Sequence, residues 1–148
     1  MSEGGSTKKK VLFVCIGNMI RSQMAEGFAR DGGSAFLETY SAGVSPSGVV
    51  SEEAIAVMQE KGIDISSQYS KGLDDVPVTE MDYIINMSGR DIRSMIAPVP
   101  PGTIIDWHVE DPLGRSLRFF RLTRDDLEPR IDEFLRWAWK QDSPGKTG

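Results

Sequence analysis

Four consecutive apolar residues, Val11, Leu12, Phe13 and Val14, run directly into Cys15 and then into a short stretch that holds Gly17, Asn18 and Arg21. A wholly apolar run of this length suits a central parallel strand, because both faces of such a strand are covered and neither needs polar residues. From Ser22 onward the apolar residues fall at Met24, Ala25, Phe28 and Ala29, the spacing of one buried helix stripe. Val11 to Glu26 therefore reads as strand, loop, helix. Open α/β sheets bind their ligands at such loops, beyond the carboxyl ends of the strands.

The loop carries the chemistry. The backbone amides of Ile16, Gly17, Asn18, Met19 and Ile20, curled ahead of a helix N-terminus, make an anion cradle to which the helix dipole adds. Gly17 and Asn18 are residue types that tolerate the positive φ such a curl often needs. Arg21 offers a planar fork of donors that matches two oxygens of a tetrahedral oxyanion. Cys15, at the mouth of this positive site, is expected to act as a thiolate nucleophile, with the Ser22 hydroxyl placed to hydrogen-bond its sulfur. A lone cysteine ending a buried strand also fits an inert packing residue. The strand before, the helix after, and Gly, Asn and Ser around it favour the nucleophile.

With 148 residues the chain suffices for one domain with a real core, and is short for two. A net charge of −5 argues against a nucleic-acid partner, which would want a basic face. A single cysteine rules out an internal disulfide and fits a reducing compartment. No apolar run approaches a membrane span, and the polar start lacks the apolar segment of a secretory signal. A cytoplasmic monomer is the expectation. Residues 1–9 read as a disordered tail, 10–140 as the domain and 141–148 as a C-terminal tail.

Further along, Asp31 to Ser34 is a break, and Phe36 to Ala42 a second strand. Val44 to Val50 is a loop that either lines the site mouth or merely connects. Ser51 caps a helix reaching about Lys61, with Glu52 and Glu53 in its first turn and Gly62 as its stop. Asp82 to Met87 is a third strand, followed by a short helix near Arg90 to Ile96. Prolines at 98, 100 and 101 then forbid regular structure. Thr103 to Trp107 is the fourth strand and Ser116 to Trp139 one long helix, which Pro129 is expected to kink or break. Arg115, Arg118, Arg121 and Arg124 recur every three residues, as a solvated face or as a draw for anions. Trp137 and Trp139 read as caps on the core. The fold class is α/β: a single open, parallel, four-stranded sheet with helices on both faces and a phosphate-binding loop after strand 1.

Transfer of a phosphoryl group to sulfur needs a proton for the departing oxygen, and later a base for water. Asp106 near the end of the fourth strand, and Glu110 and Asp111 in the loop beyond it, lie where a loop can hang over Cys15. On composition they are rivals, and Asp111-Pro112 also fits a plain turn. His108, the only histidine, reads as a surface or packing residue.

At CIGNMIRS the sequence resembles the phosphate-binding loop of the low-molecular-weight protein tyrosine phosphatases. Its extension SQMAEG, with YSAG and FRLTRDDLE, is closer to the thiol-dependent arsenate reductases of the same fold. The resemblance spans roughly Lys10 to Trp139. It implies Asp111 as general acid and then base, and Asn18, Ser22 and Ser41 as supports of the thiolate. Relay-type reductases need further cysteines in the same chain; here Met87 stands where the first would be, and Ile20 where many relatives carry a second loop cysteine. Those reductases also hold a potassium ion, and Asn18, Glu26 and Ser41 match three of its ligands. The fourth, an Asp, is Lys71 here, so no metal and no cofactor are expected.

The reading taken from the sequence is a phosphomonoesterase working through a cysteinyl-phosphate. Cys15 is its nucleophile, Arg21 with the loop amides its charge clamp, and Asp111 its acid and base. Its partner is a phosphorylated protein or small phosphomonoester. The alternative is an arsenate reductase that takes arsenate and an external thiol of the glutathione or mycothiol type. A non-catalytic phosphate-binding module is the third.

Overall fold

The computed structural model describes residues 8–142. Its strands are β1 (Lys9–Cys15), β2 (Leu37–Gly43), β3 (Tyr83–Asn86) and β4 (Ile104–Asp106), and its α-helices α1 (Arg21–Gly33), α2 (Glu52–Gln59) and α3 (Leu117–Asp142). All four strands are parallel, in the order β2-β1-β3-β4. The apolar run thus occupies an interior strand, and Val11, Leu12, Phe13 and Val14 are fully buried. Parallel pairing sends every strand's carboxyl end to one edge, so Cys15 emerges beside Gly43 and Asn86.

Two clusters fill the faces. Val11, Phe13 and Ile85 pack with Met24, Phe28, Val57, Leu127, Ile131 and Phe134 from the three α-helices. Leu12, Val14 and Ile84 pack with Met81 and Ile92, under a cover of single 3-10 turns and connecting chain. Both faces are covered, as expected, but long helices lie on one side only. The helix expected near Arg90 to Ile96 is one such turn, Ile92–Ser94, because the prolines that follow leave no room to propagate it.

Local signals set the other boundaries. Ser51 accepts the Ala54 N–H as the cap of α2, and Gly62 adopts φ +76 just beyond it. Pro129 does not break α3, which runs through it for 26 residues. The carbonyl that loses its partner belongs to Asp125, and both Asp125 and Pro129 are exposed, so water can satisfy the gap. Trp137 and Trp139 are half-exposed yet packed edge-on, Trp137 against Tyr83 and Trp139 against Phe36. Lys9 opens β1 and Gln141 still belongs to α3, so the tails expected at 1–9 and 141–148 are trimmed at their inner ends. Their remainders, 1–7 and 143–148, lie outside the described residues. Among the described residues no helix is long and apolar enough to cross a membrane.

Candidate active site

The loop between β1 and α1 is held from outside by the chain that follows β2. The carbonyls of Cys15, Ile16, Gly17 and Met19 accept from the N–H groups of Val44, Ser45, Ser47 and Ser51 at 2.8–3.1 Å. The Asn18 carbonyl accepts from Gln23 Nε2 at 3.0 Å. In a trans peptide the N–H that follows a carbonyl points the opposite way. With the carbonyls drawn toward this brace, the amides of residues 16–20 are turned away from it. At Ile20 the helix begins without any side-chain cap, leaving its first donors for a ligand. The 44–50 segment is therefore the outer brace of the loop rather than a plain connector.

Only Asn18 in this loop takes a positive φ, 47°; Gly17 does not need its freedom. The glycine that matters is Gly43 at the end of β2. A Cβ there would stand 2.5 Å from the Ile16 oxygen and 2.7 Å from the Asn18 nitrogen, so the strand and the loop touch backbone to backbone.

Cys15 is 2% exposed, and its Sγ lies 2.9 Å from Ser22 Oγ. That hydroxyl accepts from Asn18 Nδ2 at 2.7 Å, while Asn18 Oδ1 accepts from Lys71 N–H at 2.8 Å and Gln23 Nε2 at 2.9 Å. The Ser22 hydroxyl thus sits between the Asn18 amide and the sulfur, with its O–H free to donate to the sulfur. Ser41 does not join this set. Its hydroxyl donates to Glu26 Oε1 at 2.5 Å, because β2 turns it toward α1 rather than toward Cys15.

Arg21 is 6% exposed. Its Nη1 donates to the carbonyls of Met87 at 2.7 Å and Val109 at 3.2 Å, and its Nη2 lies 3.4 Å from Asp111 Oδ2. Asp111 is thus the rival carboxylate that reaches the clamp. Asp106 is taken up by Asn86 and Arg93, and Glu110 by His108, whose ring is itself exposed. Asp111 also accepts the Leu113 N–H, the Asx turn that an Asp-Pro sequence favours, so turn and site coincide in one residue.

The residues that match a potassium site do not fit a cation. The Lys71 ammonium stands 3.8 Å from Glu26 Oε1 and 3.4 Å from Ser41 Oγ, and donates to the Tyr69 carbonyl at 2.7 Å. Glu26 already faces a cation built into the chain. Burial pushes the Lys71 ammonium below the ordinary lysine value, with the Glu26 charge acting in the opposite direction.

A buried thiol beside Ser22, a buried guanidinium and a half-exposed carboxylate 3.4 Å from it thus lie at the carboxyl edge of the sheet. The chain belongs to the low molecular weight phosphotyrosine protein phosphatase family, whose model it matches over residues 10–143. It is 39% identical over 127 residues to a glutaredoxin arsenate reductase of Synechocystis, covering 86% of this chain and 96% of that protein. Among solved structures, an arsenate reductase in the phosphate binding state aligns with TM-score 0.76 and 37% identity over 88% of this chain and 98% of its own. A low molecular weight protein tyrosine phosphatase from T. tengcongensis aligns with TM-score 0.77 and 32% identity, over 87% and 99%. The fold and superfamily expected from CIGNMIRS hold, and the relatives weigh toward the reductase branch.

Proposed function

We propose that this protein is an arsenate reductase that depends on a thiol from outside the chain. The observation that supports the reading is one cysteine, the only one in the sequence, buried against Ser22 at the start of the loop that leads into Arg21. Cys15 attacks the arsenic of arsenate, an oxygen leaves as water, and a sulfur–arsenic(V) bond forms. Arg21 and the loop amides hold the remaining oxygens, and Asp111 supplies the proton to the departing one. An external thiolate then attacks the Cys15 sulfur. The electron pair of the sulfur–arsenic bond passes to arsenic, arsenite leaves, and a mixed disulfide remains for a second thiol to resolve. Two thiols become one disulfide for each arsenate reduced. The identity to a protein named as a glutaredoxin arsenate reductase supports the choice.

The test supplies arsenate with glutathione, glutaredoxin and their recycling enzymes. Arsenate-dependent thiol oxidation is expected from the wild type and none from Cys15→Ser. Hydrolysis of an aryl phosphate without any arsenate-dependent oxidation would overturn the reading.

A second reading, phosphomonoester hydrolysis, draws on the same residues and is favoured by Asp111 at 3.4 Å from Arg21. It expects Asp111→Asn to slow hydrolysis most for poor leaving groups. Equal loss for every leaving group would remove the acid role.

A further inference from the structure

Three amide side chains and a hydroxyl stand in line behind Cys15. Gln68 Nε2 donates to Gln23 Oε1 at 2.8 Å, and Gln23 Nε2 donates to Asn18 Oδ1 at 2.9 Å. Asn18 Nδ2 donates to Ser22 Oγ at 2.7 Å, and that oxygen lies 2.9 Å from Cys15 Sγ. Gln23, Asn18 and Ser22 are wholly buried, while Gln68 is half-buried at the far end of the line.

An amide can be turned end for end, so its direction has to be set by a group whose role is fixed. Backbone groups do this at each step. The Gln23 carbonyl accepts from Gln68 Nε2 at 3.0 Å. The carbonyls of Asn18 and Tyr69 accept from Gln23 Nε2 at 3.0 and 2.9 Å. The Lys71 N–H donates to Asn18 Oδ1 at 2.8 Å. A carbonyl only accepts and a peptide N–H only donates, so none of the three amides fits the other way round. The line therefore runs in one direction, from Gln68 to the sulfur. Gln23 stands at its centre, joining Asn18, the loop residue held at positive φ, to the 68–71 segment that carries the Lys71 N–H.

We infer that Gln23, held in turn by Gln68, is a positioning residue for the nucleophile: by fixing the Asn18 amide it aims the Ser22 O–H at Cys15. The inference rests on Cys15 as the nucleophile of the proposed function, and applies to attack on arsenic or phosphorus alike. Hydrogen bonds aligned in one direction polarise each other, so the last donor in the line is the strongest placed to support charge on sulfur. Without Gln23 the Tyr69 carbonyl loses one of its two donors, and Asn18 Oδ1 keeps only the N–H of a segment no longer tied to α1. The Asn18 amide is then free to turn, and an oxygen turned toward Ser22 takes the O–H away from the sulfur.

The experiment uses the full chain and follows alkylation of Cys15 by iodoacetamide, which needs no arsenate, between about pH 6 and 10. Gln23→Met, of similar length but without polar atoms, is expected to slow alkylation at neutral pH about tenfold, as Ser22→Ala does. The loss is expected to close at the alkaline end, where the thiolate forms unaided. Gln23→Met combined with Ser22→Ala is expected to lose no more than Ser22→Ala alone, since both act through one hydrogen bond. Gln68→Met, which leaves the loop's own contacts in place, is expected to slow the reaction about two- to threefold, and serves where Gln23→Met does not fold. Additive losses in the double variant, a loss equal at every pH, or wild-type rates in both glutamine variants overturn the inference. Alkylation that responds as expected in a protein without arsenate-dependent thiol oxidation removes the reductase reading alone.

Discussion

Lys71 and Glu26 face each other across 3.8 Å with side chains only 10% and 4% exposed, directly behind the loop that holds Cys15. Glu26 also pairs with Arg30 at 2.6 Å, so it is the loss of Glu26, not of Lys71, that strands a buried charge. Glu26→Gln should therefore lower unfolding stability by about 3 kcal/mol, and Lys71→Met with Glu26→Gln should recover part of it. Urea melts of the three variants measure this. Strict additivity of the two single losses would show that the pair is not coupled.

Ser22→Ala removes the hydroxyl that stands between Asn18 and Cys15. Alkylation of Cys15 by iodoacetamide is expected to slow about tenfold, the worth of one hydrogen bond to a charged group. The circular dichroism spectrum should be unchanged. A rate equal to that of wild type would mean that Ser22 only packs.

Gly43→Ala places a methyl where the Ile16 oxygen and the Asn18 nitrogen already stand. Either the loop or β2 must yield, at a cost of about 1–3 kcal/mol, as for overpacked cores. Phosphate binding should weaken at least as much as stability, since the displaced atoms shape the anion ring. Unaltered phosphate affinity would be incompatible with this backbone contact.

Glu60 answers to acid in a defined window. Hydrogen bonds from Arg121 and Arg124 hold its carboxyl at about 2, against an ordinary 4.5. A carboxylate lowered by folding adds stability above its unfolded value and loses that contribution as pH falls through the folded one. The stability difference between wild type and Glu60→Gln should thus be constant above about pH 4.5 and shrink between 4.5 and 2. A difference that grows on acidification would reverse the sign.

What could be read from the chain in advance follows the range of each interaction. The strand, loop and helix from Val11 to Glu26 rest on local pattern, and so do the Ser51 cap and the Gly62 stop; the structure has all of them. Cys15 and Ser22 come together because they lie within eight residues. Features that depend on distant partners were not legible. Nothing in the sequence says that Gly43 must lack a side chain to let Ile16 approach. Nothing says that Arg124 would be buried on Val57 and Glu60 while Arg115 stays in solvent. The resemblance offers Ser41 to the sulfur; its hydroxyl donates to Glu26, and nothing local says which side of β2 it occupies. Pro129 fails to break α3 because the orphaned carbonyl lies on the wet side, which a residue type alone does not reveal.

Arg21 is aimed by two peptide oxygens, those of Met87 and Val109. A carbonyl is the same acceptor whatever residue carries it, so the identities of 87 and 109 are decoupled from the orientation of the guanidinium. Positions 87 and 109 can be retooled, and a cysteine or an aromatic installed there, without redirecting the Arg21 side chain. Divergent chemistries can then share one unaltered pointer.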